Sequence, residues 1–155
     1  MLDLSVMVVG CGDVGGRLAR QLLARGWHVS GLRRSIEQLP EGVAPVAADL
    51  SEAAIPAAWP QRAPDYLVYC VAASQHDEAG YQAAYVEGLR HVLAWLGERG
   101  QHPRRLLFVS SSSVFAQKEG EWIDETAATE PEGYSGRVML DAERLALASG
   151  IPASV

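Results

Sequence analysis

The chain alternates short apolar runs with longer stretches in which apolar residues recur every three or four positions. Residues 4–9 (LSVMVV) are rich in β-branched side chains and closed by glycine, a pattern that predicts a buried strand. Residues 13–25 place Val14, Leu18, Leu22 and Leu23 at helical spacing. Gly26 is suited to end that helix, because glycine takes the left-handed C′ conformation at little cost. Further strands are predicted at 27–32, 43–47, 66–71 and 105–109. A helix over 78–99 carries Tyr81, Tyr85, Leu89, Val92 and Leu96 along one face. Residues 111–132 read as a long acidic loop. Residues 134–148 return to helix through Val138, Leu140, Leu145 and Leu147, with Gly150 and Pro152 marking the end. Residues 151–155 look like the opening of a sixth strand.

Strands that alternate with helices pair in parallel, and each crossover is right-handed. The predicted architecture is therefore α/β: an open, doubly wound parallel sheet in the order 3-2-1-4-5, with a sixth strand beginning at the end of the sequence.

Composition narrows the reading. A length of 155 residues, 48% hydrophobic and 21% charged, fits one ordinary globular domain over 1–155 and excludes a disordered chain. A net charge of −6 speaks against a nucleic-acid partner, which would need a basic patch. No apolar run approaches the roughly 20 residues of a membrane helix, and the first residues lack the pattern of a secretory signal. Cys11 and Cys70 both follow strand-like runs and are expected to be free, buried thiols, in keeping with a reducing, cytoplasmic setting. His28, His76, His91 and His102 are scattered without ligand spacing, so no metal site is expected. Lys118 is the single lysine, which confines any lysine chemistry to that region.

The most specific motif is Gly10-Cys11-Gly12-Asp13-Val14-Gly15, a G-x-G-x-x-G between the first strand and the first helix. The first glycine makes a tight turn, the second lets the backbone approach a pyrophosphate, and the third lets helix and strand pack closely. The helix N-terminus offers free N–H groups to the phosphates. In this place between a strand and a helix it reads as the dinucleotide-binding loop of a Rossmann sheet, the other reading being glycines that only make a turn. The end of the second strand normally carries an acidic residue about 20 positions further on to bind ribose hydroxyls. Here Arg33 and Arg34 stand instead, and two guanidiniums suit a 2′-phosphate, which points to NADP rather than NAD. Asp49-Leu50, after the third strand, is placed either to meet an adenine edge or to cap a helix.

With those residues in place, the chain resembles the extended short-chain dehydrogenase/reductases of the NAD-dependent epimerase/dehydratase type. The motifs occur in order along essentially the whole sequence. Cys70-Val71-Ala72-Ala73 resembles the family's small-residue turn after strand four, so Val71, Ala72 and Ala73 are implied to border the nicotinamide ribose. Tyr85-Val86-Glu87-Gly88 resembles its Asn-Val-x-Gly, with tyrosine for asparagine. Val109-Ser110-Ser111-Ser112-Ser113-Val114-Phe115 resembles its serine-rich end of strand five, which implies a cofactor contact for Ser110. Asp124-Glu125 and Pro131 follow, and Tyr134-Ser135-Gly136-Arg137-Val138 falls where Tyr-x-x-x-Lys is expected, with Glu143 completing that helix.

The implied chemistry is hydride transfer at nicotinamide on a sugar-like or other small hydroxyl or carbonyl substrate. By position Tyr134 exchanges the substrate proton and touches the cofactor, while Ser111, or Ser112 in a shifted register, hydrogen-bonds the same oxygen. The ordinary tyrosine pKa of about 10 is too high for a base at neutral pH without help. The family's lysine position is Val138, which marks an atypical branch. Arg137, at i+3 from Tyr134, either takes part of that lysine's role or is a solvated helix residue. The family's C-terminal substrate region is expected to lie outside these residues. The resemblance also implies a homodimer through the helices at 78–99 and 134–148. Two other readings stay open: a non-catalytic NADP-binding or redox-sensing protein, and a methyltransferase-like domain, which would leave Arg33-Arg34 and the serine-to-tyrosine series unexplained.

Overall fold

A computed structural model describes residues 3–155. Six parallel strands form one sheet: β1 (Ser5–Val9), β2 (His28–Arg33), β3 (Ala44–Ala47), β4 (Tyr66–Tyr69), β5 (Arg105–Phe108) and β6 (Ala153–Ser154). Their order is β3-β2-β1-β4-β5-β6, so the expected order holds and the sixth strand extends it at the far edge. The register follows the burial pattern. Val8 lies between Gly31 and Val68, and Val9 between Leu32 and Tyr69.

One face of the sheet is covered by α1 (Asp13–Ala24). Leu18, Ala19, Leu22 and Leu23 pack there on Val6, Val8, Val29 and Val68. Val14, counted with that apolar face from its spacing, is instead 62% exposed at the mouth of the glycine loop. Gly26 does end the helix with φ of 82°. The other face is covered by α3 (Gly88–Glu98) and α4 (Tyr134–Leu147), over a core of Met7, Val9, Leu67, Tyr69, Leu106 and Phe108. On the α1 side of β5, Leu107 and Val109 remain exposed.

The helix expected over 78–99 is not continuous. It comprises α2 (Glu78–Tyr81), a π-turn at Gln82–Glu87, and α3. The interruption has a cause in β4. The Gly88 N–H bonds to the Ala83 carbonyl, five residues back, and the Ala84 carbonyl so released accepts the buried Tyr69 hydroxyl at 2.5 Å. Hydrophobic spacing cannot signal a hydroxyl inserted from another strand. In the segment expected as an acidic loop, Ser112–Val114 winds into a single 3-10 turn.

Residues 48–65, between β3 and β4, carry no regular element yet are strapped to α3. Backbone carbonyls of this segment accept from side chains: Leu50 from His91 Nδ1 at 2.6 Å, Ala53 from Trp95 Nε1 at 2.8 Å, and Pro60 from Gln101 Nε2 at 2.8 Å. Trp59 is buried edge-on against Trp95 and donates to Gln101 Oε1 at 2.9 Å. Buried backbone needs such partners wherever no ladder supplies them. The strap fixes the end of β3, and with it Asp49 and Leu50.

Candidate functional site: the cleft at the carboxyl ends of the strands

A cleft of about 640 Å3 opens over the carboxyl ends of β1, β2 and β4. The strand order reverses between β1 and β4, and in open α/β sheets that crevice is where ligands bind. Its floor is the glycine loop. Gly10 and Cys11 both donate their N–H to the Leu32 carbonyl, at 3.0 and 3.2 Å, which stitches the loop to the end of β2. Gly10 takes φ of +83° and lies against the Val71 backbone. Gly12 precedes α1 without a side-chain cap, so the first-turn N–H groups face the cleft with no partner from the chain. Gly15 is buried against the Gly10 carbonyl, where a larger residue would push α1 off the strand. Asp13 turns aside to pair with Arg17 at 3.1 Å.

One wall is made by Arg33, Arg34, Asp49 and Leu50. The Arg33 guanidinium donates to the Cys11 carbonyl at 3.3 Å and to Gln38 Oε1 at 2.8 Å, which holds it beside the glycine loop. Arg34 is exposed at the rim. Asp49 accepts the Ser51 N–H at 2.9 Å and the Ser51 hydroxyl at 2.8 Å. It therefore caps its own turn while lining the cleft. Those two bonds hold its carboxyl below the usual range.

The facing wall is the segment after β4. Val71 and Ala72 line it, with Ser74 and Gln75 beyond. The Ala73 N–H donates to the Tyr85 hydroxyl at 3.2 Å. Cys70 is half-buried with Sγ 3.4 Å from the Gly10 carbonyl, and burial pushes its thiol up to about 11. Cys11 is buried, and burial raises its thiol as well. Both cysteines are free as expected, but only Cys11 is buried; Cys70, just past β4, is half-buried because it borders the cleft.

The serine and tyrosine series lies past that wall. Ser110 donates to Glu143 Oε1 at 2.6 Å, which ties the end of β5 to α4. Ser111 is exposed, and its hydroxyl accepts the Ser113 N–H at 3.2 Å, so it starts the 3-10 turn. Ser112 is also exposed. Tyr134 opens α4. Its ring stands edge-on to Tyr81 at 5.5 Å, and its hydroxyl donates to the His76 carbonyl at 2.9 Å. Gly136 brings α4 onto the Ser113 carbonyl, so closely that a Cβ would sit 2.1 Å from it. The serine turn and Tyr134 are thus set side by side by backbone contact. Arg137 donates to the Glu132 carbonyl at 2.6 Å, and Val138 is buried.

Asp77 N-caps α2 by accepting the Gly80 N–H at 2.7 Å, which accounts for the acidic residues at 77–78. Sequence reasoning missed Tyr85 and His91 as supports of the cleft. Each acts on backbone far away in sequence, and no spacing signals that. No group of three His, Cys, Asp or Glu side chains among the described residues is arranged to hold a metal. No described helix is long and apolar enough to cross a membrane.

A family model described as "NAD dependent epimerase/dehydratase family" matches residues 6–138. No curated protein sequence matches the chain. Among solved structures, it is similar to a Methylobacillus flagellatus protein described as a candidate NAD-dependent epimerase/dehydratase, with 37% identity and a TM-score of 0.73, over 97% of this chain and 52% of that one. A candidate epimerase from Burkholderia cenocepacia J2315 is 24% identical with a TM-score of 0.76, over 97% and 52%. The Bordetella bronchiseptica enzyme WbmG, solved with NAD and UDP, shares 18% identity and a TM-score of 0.77, over 98% and 52%, a likeness of fold. The chain spans about half the length of these structures.

Proposed function

The chain belongs to the NAD dependent epimerase/dehydratase family, and on that premise we propose that it binds a nicotinamide dinucleotide, NADP ahead of NAD, for hydride transfer on a sugar-like or other small hydroxyl or carbonyl substrate. The observation that carries the reading is the pairing of an uncapped α1 N-terminus with Arg33 and Arg34 on the rim of one cleft. The residues fit the group. Position 12 has open space where a Cβ would stand, and the free N–H groups of α1 suit a pyrophosphate. Arg33 and Arg34 take the 2′-phosphate, and no carboxylate stands at the end of β2 to prefer a bare ribose. Asp49 and Leu50 flank the adenine, and Val71, Ala72 and Ala73 border the nicotinamide ribose.

The bound nicotinamide supplies or accepts the hydride. The chain's own part is to orient the reacting oxygen and to move its proton. Ser111 donates a hydrogen bond to that oxygen, and Tyr134 exchanges the proton once its hydroxyl turns away from the His76 carbonyl. A reducing, cytoplasmic setting goes with this reading.

Titration calorimetry with NADPH and NADH tests it. We expect NADPH to bind the tighter, and the Arg33→Ala/Arg34→Ala variant to lose about 100-fold in NADPH affinity with NADH little changed, since each charged hydrogen bond is worth about 1.5–3 kcal/mol. Equal affinity of the variant for NADPH would remove the NADP assignment. A second reading, a non-catalytic dinucleotide binder, is favoured by the buried Val138 and by Arg137 being engaged at the Glu132 carbonyl instead of at Tyr134. Binding without turnover by the full-length protein would select it.

A homodimer through α3 and α4 belongs to the same proposal. Leu93 and Leu140 are only partly buried on those helices, which is apolar surface a partner can cover. Sedimentation equilibrium is expected to return twice the monomer mass, and Leu140→Glu to halve it. A monomeric wild type would sink the dimer.

A further inference from the structure

The Tyr85 hydroxyl does something its ring does not need. The ring packs edge-on against Tyr81 at 5.2 Å and against the core, a role phenylalanine would fill equally. The hydroxyl, however, reaches across to the segment after β4 and accepts the Ala73 N–H at 3.2 Å. Ala73 lies beyond the end of β4, where no ladder supplies an acceptor. Among the described residues the Tyr85 hydroxyl is its partner.

The reach depends on the π-turn. In an unbroken α-helix the Ala84 carbonyl would accept the Gly88 N–H. Here Tyr69 holds that carbonyl, the helix carries one extra residue in the turn, and Tyr85 sits inside the widened stretch. Tyr69 is buried, and burial holds its phenol firmly protonated, so its donor is always present. Two tyrosines thus work in sequence: one shapes the turn, the other uses it. The segment they pin, Val71–Ala73, closes the cleft on the side facing the glycine loop, with the Val71 backbone packed on Gly10.

We propose that Tyr85 is a positioning residue for the nicotinamide half of the cofactor, acting through its hydrogen bond to the Ala73 amide. The proposal rests on the dinucleotide reading given above. It separates the two ends of the cleft. The adenosine end is lined by Arg33, Arg34 and the strapped Asp49–Leu50, none of which is hydrogen-bonded to Tyr85 among the described residues. The far end rests on a turn whose Ala73 amide is held by Tyr85, between Cys70 at the Gly10 carbonyl and the His76 carbonyl held by Tyr134.

The test compares wild type with Tyr85→Phe in calorimetric titrations with NADPH, NADH and ADP, the last lacking the nicotinamide ribose. Hydrogen exchange of the Ala73 amide is followed in the ligand-free chains. We expect Ala73 exchange to quicken, the tighter dinucleotide to lose about five-fold in affinity, and ADP to bind within two-fold of wild type, the effect of one neutral hydrogen bond acting at one end. Unchanged dinucleotide affinity alongside quickened exchange overturns the positioning role. So does an equal loss for ADP, which would mean a general loosening of the cleft. A wild type that binds neither dinucleotide overturns the parent reading together with this one, and its own exchange data still report whether the bond exists.

Discussion

Gly10→Ala is expected to destabilise the fold by about 3 kcal/mol or more, while Gly12→Ala, two residues away, folds normally and loses dinucleotide binding. The contrast follows from where each methyl would go. At Gly10 the backbone has φ of +83°, and an added Cβ would lie 2.7 Å from Val71 Cα, 2.8 Å from Val71 N and 2.9 Å from the Cys70 carbonyl carbon. All three are backbone atoms, so no rotamer change relieves the contact. At Gly12 a Cβ would meet nothing within 4 Å, because that side of the loop is the cleft. The methyl would stand where a pyrophosphate must approach. Urea denaturation and NADPH titration of the two variants separate the effects. A Gly10→Ala chain as stable as wild type would mean that the loop can lift off the Val71 backbone. A Gly12→Ala chain that binds NADPH normally would mean that no phosphate comes close there.

Trp59→Ala is expected to cost about 4 kcal/mol, a large part of the 5–15 kcal/mol that holds an ordinary domain together. Trp59 is 2% exposed and is among the largest fully buried side chains of the described residues. Its removal leaves a cavity against Trp95 and strips Gln101, a buried polar side chain, of the donor to its Oε1. Trp59→Phe keeps a six-membered ring but loses the pyrrole edge with its donor, so a smaller cost of about 2–3 kcal/mol is expected. Denaturant midpoints of the two variants measure both. A Trp59→Ala loss below about 1 kcal/mol would show that residues 48–65 merely rest on the core.

These three positions mark what the sequence could and could not convey. Gly10 and Gly12 were legible because phosphate binding imposes fixed spacing on a short stretch between a strand and a helix. The sheet order was legible for a related reason: apolar runs at 4–9, 66–71 and 105–109 alternate with helical spacing, and parallel crossovers leave few topologies. Trp59 and Gln101 are 42 residues apart, and nothing local to either announces the other. The same holds for Tyr85 with Ala73 and for Tyr134 with His76. Each is a side chain meeting distant backbone, decided by packing after the strands are in place. The π-turn belongs with them, since its cause is a hydroxyl on β4. Asp49 was legible only as a pair of alternatives, and the structure shows it capping its own turn at Ser51, where no helix follows, on the wall of the cleft.

Leu107 on β5 and Val109 just past its end are exposed, whereas Val6, Met7, Val8 and Val9 cover β1 on both faces. The sheet is therefore not equally secured from edge to edge. Strands that bury less apolar surface open at lower free energy than the fold as a whole. Both margins are thinly covered: β3 buries only Val46, and β5 leaves Leu107 open on one face, with the serine turn and α4 following it in the chain. The glycine loop hangs from β1, among the last strands to give way. Mild destabilisation is therefore expected to free the margins of the sheet, with Ser111 and Tyr134 beside one of them, before the glycine loop at its centre.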